Sequence, residues 1–156
     1  MNYLYLLLHC LYTPKGRKVS AEEVLRWHTA PKPQGRGWSA PGYRLLIHLD
    51  GSISVLRDYD FDNTLEGWEI TNGALGFNDK AAHIALVGGM ENGKPANTFT
   101  KAQWTTLEYQ VLSYVELYPD IQVGGHNQVS KKACPCFEVP DFCRGIEIAE
   151  RNIYKT

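Results

Sequence analysis

The chain lacks the features of a membrane protein, a nucleic-acid binder or a disulfide-stapled scaffold. No apolar run approaches the ~20 residues needed to cross a bilayer. Neither sign of charge dominates: 16 Lys and Arg stand against 17 Asp and Glu, for a formal net charge of −1. With no basic block, neither nucleic acid nor a membrane surface is an expected partner. Repeats, low-complexity tracts and an evident linker are absent, so residues 1–156 read as one domain. Only four cysteines occur, too few for a disulfide framework, and three of them fall in the last 23 residues. That clustering suggests metal ligation. What is present is an ordinary globular composition, 44% hydrophobic, with ample material for a core.

The apolar start, Met1 to Cys10, has no basic residue before it and no small-residue cleavage site after it. It reads as a buried strand over residues 3–9, and synthesis in the cytoplasm without a signal peptide is expected. Ser20-Ala21-Glu22-Glu23 has the capping-box form and opens a short helix. Residues 31–41, rich in Pro and Gly, read as an exposed loop. Tyr43–Leu49 and Ser52–Leu56 flank the Asp50-Gly51 turn as a hairpin. Strict alternation puts Tyr43, Leu45 and Ile47 on one face and Arg44, Leu46 and His48 on the other, with His48 toward solvent. The long polar and aromatic stretch 57–80 reads as a functional loop. Ala81–Val87 is a further strand, and Thr100-Lys101-Ala102-Gln103 opens a long helix with apolar Trp104, Leu107, Val111, Leu112, Val115 and Leu117. A short strand at 121–123 and a last helix from Pro140 to about Glu150 complete the order β-α-β-β-β-α-β-α. This predicts an α/β fold with a mixed central sheet flanked by helices.

Five histidines are candidates for chemistry. His28 reads as packing beside Trp27, and His83 as a hydrogen-bonded residue inside an apolar strand. His9 and His126 differ, because each ends a strand and opens a loop, where sheets of this class place their sites. Cys134 follows His126 by eight residues. Two His and one Cys are good zinc ligands, and three protein ligands leave a fourth position open, as in catalytic rather than structural zinc sites. The spacing alone is not specific. A structural zinc site using His126, Cys134, Cys136 and Cys143 remains open on the same residues.

The stretch Gly124-Gly125-His126-Asn127-Gln128-Val129-Ser130-Lys131-Lys132-Ala133-Cys134-Pro135-Cys136-Phe137 resembles a segment of the N-acetylmuramoyl-L-alanine amidases. That zinc amidase family includes small phage lysozymes and animal peptidoglycan recognition proteins. Leu8-His9-Cys10, Pro41 to Ile47, Leu49-Asp50-Gly51, Gly76-Phe77-Asn78, Ala85 to Gly89 and Phe99 to Gln103 resemble further family segments in the same order, over roughly residues 5–148. The resemblance implies Zn2+ held by His9, His126 and Cys134, with Tyr43 and Lys132 as catalytic side chains. It implies hydrolysis of the amide between N-acetylmuramic acid and L-alanine in peptidoglycan or a muropeptide, by a monomer acting on the cell wall or its fragments. A non-catalytic binding module of the same fold is the alternative. Gly73 departs from the resemblance, standing where many family members carry a His, which puts substrate placement in question.

The chemistry suits those residues. Zinc lowers the pKa of a bound water to about 7 and polarises a carbonyl. A cation such as Lys132 can hold an oxyanion, and the Tyr43 phenol can orient the attacking water. By residue type alone, Lys132 is equally a surface lysine and Tyr43 a core tyrosine. Trp38, Trp68, Arg57 and Asn78 lie in loops near the expected site. Aromatic faces suit sugars and peptide stems, and an Arg suits a stem-peptide carboxylate.

Overall fold

A computed structural model describes residues 2–156. Its elements are β1 (Tyr5–Cys10), β2 (Thr13–Pro14), α1 (Ala21–Thr29), β3 (Leu45–Ile47), β4 (Ile53–Val55), β5 (Ala81–Leu86), β6 (Gly89–Glu91), β7 (Lys94–Pro95), α2 (Lys101–Leu117), β8 (Gln122–Gly125), α3 (His126–Val129) and α4 (Val139–Gly145). A 3-10 turn, Glu150–Asn152, follows. The central sheet has the order β4-β3-β5-β1-β8. It is parallel except for the β3–β4 hairpin. A small second sheet, β2-β6-β7, was not foreshadowed by any run of apolar residues.

The inner strands are apolar on both faces because both are covered. Leu6, Leu8 and Cys10 of β1, Leu45 and Ile47 of β3, and Ile84 and Leu86 of β5 pack with Leu107 and Val111 of α2. On the opposite face Val24 of α1 meets Leu46, Ala85 and Val87. Both helices begin with the expected capping boxes, Ser20 with Glu23 and Thr100 with Gln103. The buried stripe of α2 differs from the expected one. Gln103 is fully buried, while Leu112 and Leu117 are exposed. Gln103 is inside because its amide nitrogen donates to the carbonyls of Ile47 (3.2 Å) and Val87 (2.9 Å), tying the helix start to the sheet.

Three expectations fail locally. The strand begins at Leu45, not Tyr43, so period-2 alternation does not extend to residues 43 and 44. Tyr43 packs with Leu46 on the α1 face, and Arg44 turns to the α2 face, where it donates to the Tyr3 and Tyr114 hydroxyls. The expected helix to Glu150 stops at Gly145, and Glu147 then takes a positive φ of 64°. His48 is half-buried rather than free in solvent, its Nε2 lying 2.7 Å from the Ser54 hydroxyl.

Candidate active site

A cleft of about 750 Å³ lies on the α1 side of the sheet, lined among others by His28 of α1, Tyr43 and His126. His9 points to this face because Leu8 and Cys10, its neighbours in the strand, point to the other. The parallel pairing of β1 with β8 sets Leu8 opposite Gly125, so His126 arrives beside His9, with ring centroids 4.7 Å apart. Cys134 comes in from the loop after α3. One ligand atom from each of His9, His126 and Cys134 lies within 4.8 Å of the others. The Cys10 backbone N–H donates to Cys134 Sγ (3.2 Å), and His9 Nδ1 lies 3.8 Å from the same sulfur. Two neutral imidazoles and a thiol supported by an N–H form a donor set suited to zinc, so the residues fit the group.

The electrostatics agree. Burial, followed by His83 and His126, holds His9 well below its ordinary pKa. His126 is also lowered, by burial and then Lys132. Both rings are therefore neutral at pH 7, as ligands must be. Burial raises the Tyr43 phenol, which keeps its proton. Its ring centroid lies 5.0 Å from that of His9. Tyr43, Lys132 and Asn78 all line the cleft, and the Asn78 side-chain oxygen accepts from the Ala74 N–H (2.9 Å).

Arg57 and Trp68 are not among the cleft residues. They belong to a segment that packs over the α2 face instead, with the Tyr59 ring 4.3 Å from the Arg44 guanidinium and the Tyr118 hydroxyl donating to the Asp62 carbonyl. The long loop is thus two structures, and only its second part, Asn72 to Asn78, reaches the cleft.

Cys136 and Cys143 stand apart from the ligand cluster. An extended segment would put Cys134 and Cys136 on one face, but the chain turns here. The Cys136 N–H donates to the Ala133 carbonyl, and its φ is 69°. Cys136 Sγ faces Cys10 Sγ at 3.7 Å, and Cys143 is in the core. The four-residue structural site is therefore not assembled.

Sequence reasoning missed His28 and Arg36. His28 lines the cleft, and its Nδ1 accepts from the Gly42 N–H (3.0 Å). Burial, then Arg36, lowers it to about 4. Arg36 lies over the Trp38 ring at 4.9 Å on the same wall. A Pro- and Gly-rich loop has no period from which to place such residues. His83 is hydrogen-bonded inside its strand as expected, but through one nitrogen only: Nδ1 lies 2.9 Å from His9 Nε2, while its own Nε2 is buried without a partner. The departure at Gly73 has a local cause: a Cβ there would lie 2.5 Å from the His83 ring.

No family model matches the chain. An endolysin of Enterobacteria phage K11 is 29% identical over 142 residues, covering 90% of this chain and 85% of its own. An endolysin of Escherichia phage T7 is 28% identical over 135 residues, 86% of this chain and 81% of its own. A Haemophilus influenzae protein without an assigned function is 31% identical over 107 residues, 58% of this chain and 84% of its own. Among solved structures, an N-acetylmuramoyl-L-alanine amidase of Clostridium intestinale superposes with a TM-score of 0.73 at 22% identity, over 96% of this chain and 88% of its own. Over most of its length the chain is similar to phage endolysins, and it has the fold of the amidases and peptidoglycan recognition proteins. A Drosophila peptidoglycan recognition protein in complex with tracheal cytotoxin shares this fold, with a TM-score of 0.65 at 23% identity over 86% of this chain and 76% of its own. Among the described residues, no helix is long and apolar enough to cross a membrane.

Proposed function

We propose that this protein is an endolysin-type enzyme that cleaves the amide between N-acetylmuramic acid and L-alanine of the peptidoglycan stem, as one catalytic domain holding zinc through His9, His126 and Cys134. Its endolysin homologues and the amidase fold support peptidoglycan hydrolysis of the amidase type. The observation that carries the zinc reading is the meeting of three metal-competent side chains from β1, α3 and the following loop, one of which, His126, lines the cleft. Zinc held there supplies an acidified water and a Lewis acid for the carbonyl. The chain's own groups do the rest. Lys132, exposed on the cleft wall, offers a positive charge to the developing oxyanion. Tyr43 keeps its phenolic proton and acts as a hydrogen-bond donor to the reacting group rather than as a base. Asn78, His28 and the Arg36–Trp38 pair line the walls along which a sugar and peptide stem would lie. Presence of the Cys ligand favours catalysis over a binding-only module.

The protein is expected to act as a monomer on the cell wall or its fragments. Digesting purified peptidoglycan with the zinc-loaded protein tests the bond. New L-alanine amino termini without new reducing sugar ends are expected, and new reducing ends alone would identify a different activity.

A further inference from the structure

We propose that His83 is a positioning residue that aims His9 at the metal, and that residue 73 is glycine to make room for it. The inference rests on the zinc reading above. His83 Nδ1 lies 2.9 Å from His9 Nε2, with both rings fully buried. The other nitrogen of His9, Nδ1, is the one that faces Cys134. A nitrogen that binds metal carries no proton, so a neutral His9 ligating through Nδ1 must hold its proton on Nε2. That N–H then donates to His83 Nδ1, and His83 carries its own proton on Nε2. The reverse tautomer of His83 would donate to His9 Nε2 and push the His9 proton onto Nδ1, closing the ligand atom.

Packing does not account for a histidine at 83. It sits in the all-buried strand Ala81–Leu86, where an aliphatic residue would serve. Its Nε2 has no hydrogen-bond partner, which is unfavourable for a buried polar atom. What the ring does gain is its contact with His9.

Gly73 is not needed for backbone freedom, since it is absent from the positive-φ glycines. It is needed for space. A Cβ there would lie 2.5 Å from both Cγ and Nδ1 of His83, and 2.9 Å from the Gly42 carbonyl oxygen. Even a methyl group would push the His83 ring out of line with His9. Hydrogen-bond acceptors behind metal-bound histidines hold the ring and its tautomer, and losing one weakens metal binding about 10–100-fold.

Zinc Kd, measured by chelator competition on the purified protein, tests this with three variants. His83→Leu removes the acceptor and is expected to weaken zinc about 10–100-fold. His83→Asn places an oxygen where Nδ1 stood and is expected to recover most of that loss. Gly73→Ala, which touches no ligand, is expected to weaken zinc in the same direction as His83→Leu. Long-range 1H–15N spectra of the zinc-loaded wild type should show the His9 proton on Nε2. Equal zinc affinity in His83→Leu and wild type would overturn the inference, as would a His83→Asn variant no better than His83→Leu. A purely structural His83 would change thermal stability without changing Kd. Should His83→Leu fail to fold, wild-type affinity in Gly73→Ala overturns the inference and weakened affinity supports it. A wild-type protein that holds no zinc at all overturns the functional reading, and this inference with it.

Discussion

Arg44 is the largest fully buried side chain, and its charge is handled without a direct carboxylate. Its guanidinium lies between the Tyr3 and Tyr59 rings, at 5.0 and 4.3 Å, and donates to the Tyr3 and Tyr114 hydroxyls. The Tyr3 hydroxyl in turn donates to buried Glu69 at 3.4 Å, linking the cation to an anion through one phenol. Arg44→Ala should cost about 3 kcal/mol in urea unfolding, through the cavity and the hydroxyls left unpaired. Arg44→Met, which keeps most of the volume, should cost less. The two loop thiols make a sharper contrast. Cys134→Ser should lose most bound zinc while the domain stays folded, whereas Cys136→Ser should keep it. Zinc stoichiometry by atomic absorption, with circular dichroism as the folding control, reads both outcomes. Zinc lost only in Cys136→Ser would transfer the ligand role to that residue.

At the scale of elements, much of the fold could be read from the sequence because its causes are local. Capping boxes at Ser20 and Thr100 need only residues three apart, and both helices start where those boxes place them. The apolar runs at 3–9 and 81–87 became inner parallel strands, as continuous apolar character suggests. Ends were less legible. Residues 43 and 44 left the alternation because they precede the ladder, and α4 stopped early at Gly145. Gln103 was hidden for a different reason. Its burial depends on strand carbonyls that are distant in sequence. Gln103→Ala should therefore destabilise the domain by more than about 1 kcal/mol, the typical loss for an N-cap alone, because it removes a cap partner and takes a donor from the Val87 carbonyl together. Thr100→Ala is the reference for the cap contribution, and differential scanning calorimetry of the two variants gives the comparison.

For the molecule as a whole, metal removal and acid should act on different properties. Chelation should abolish wall hydrolysis and zinc should restore it, while circular dichroism changes little, since a core of this size does not rest on one catalytic ion. Full activity in metal-free protein would sink the zinc mechanism. Acid acts through His28, lowered from its ordinary 6.5 to about 4. Above 6.5 the ring is neutral in both folded and unfolded chains and contributes no pH dependence. As pH falls from 6.5 toward 4, the unfolded chain takes up a proton that the folded ring refuses, so stability declines through that window. Protonation would also remove the acceptor for the Gly42 N–H. Urea midpoints between pH 7.5 and 4.5 should fall less steeply in His28→Gln than in wild type.

By itself the amino-acid sequence determined the main strands of the central sheet, the two capped helices and three residues able to hold a metal. Those follow from local periodicity and from side-chain chemistry, which travel with the chain. Only the tertiary structure decided which residues share a wall. The order β4-β3-β5-β1-β8 brings His9, His83 and His126 together across more than a hundred residues of chain. Arg57 and Trp68, near the cleft in sequence terms, went to the opposite face, and His28 and Arg36 came to line it. The fit of Gly73 against His83 belongs to the same class. It is a matter of volume between two segments, and no spacing within either segment encodes it.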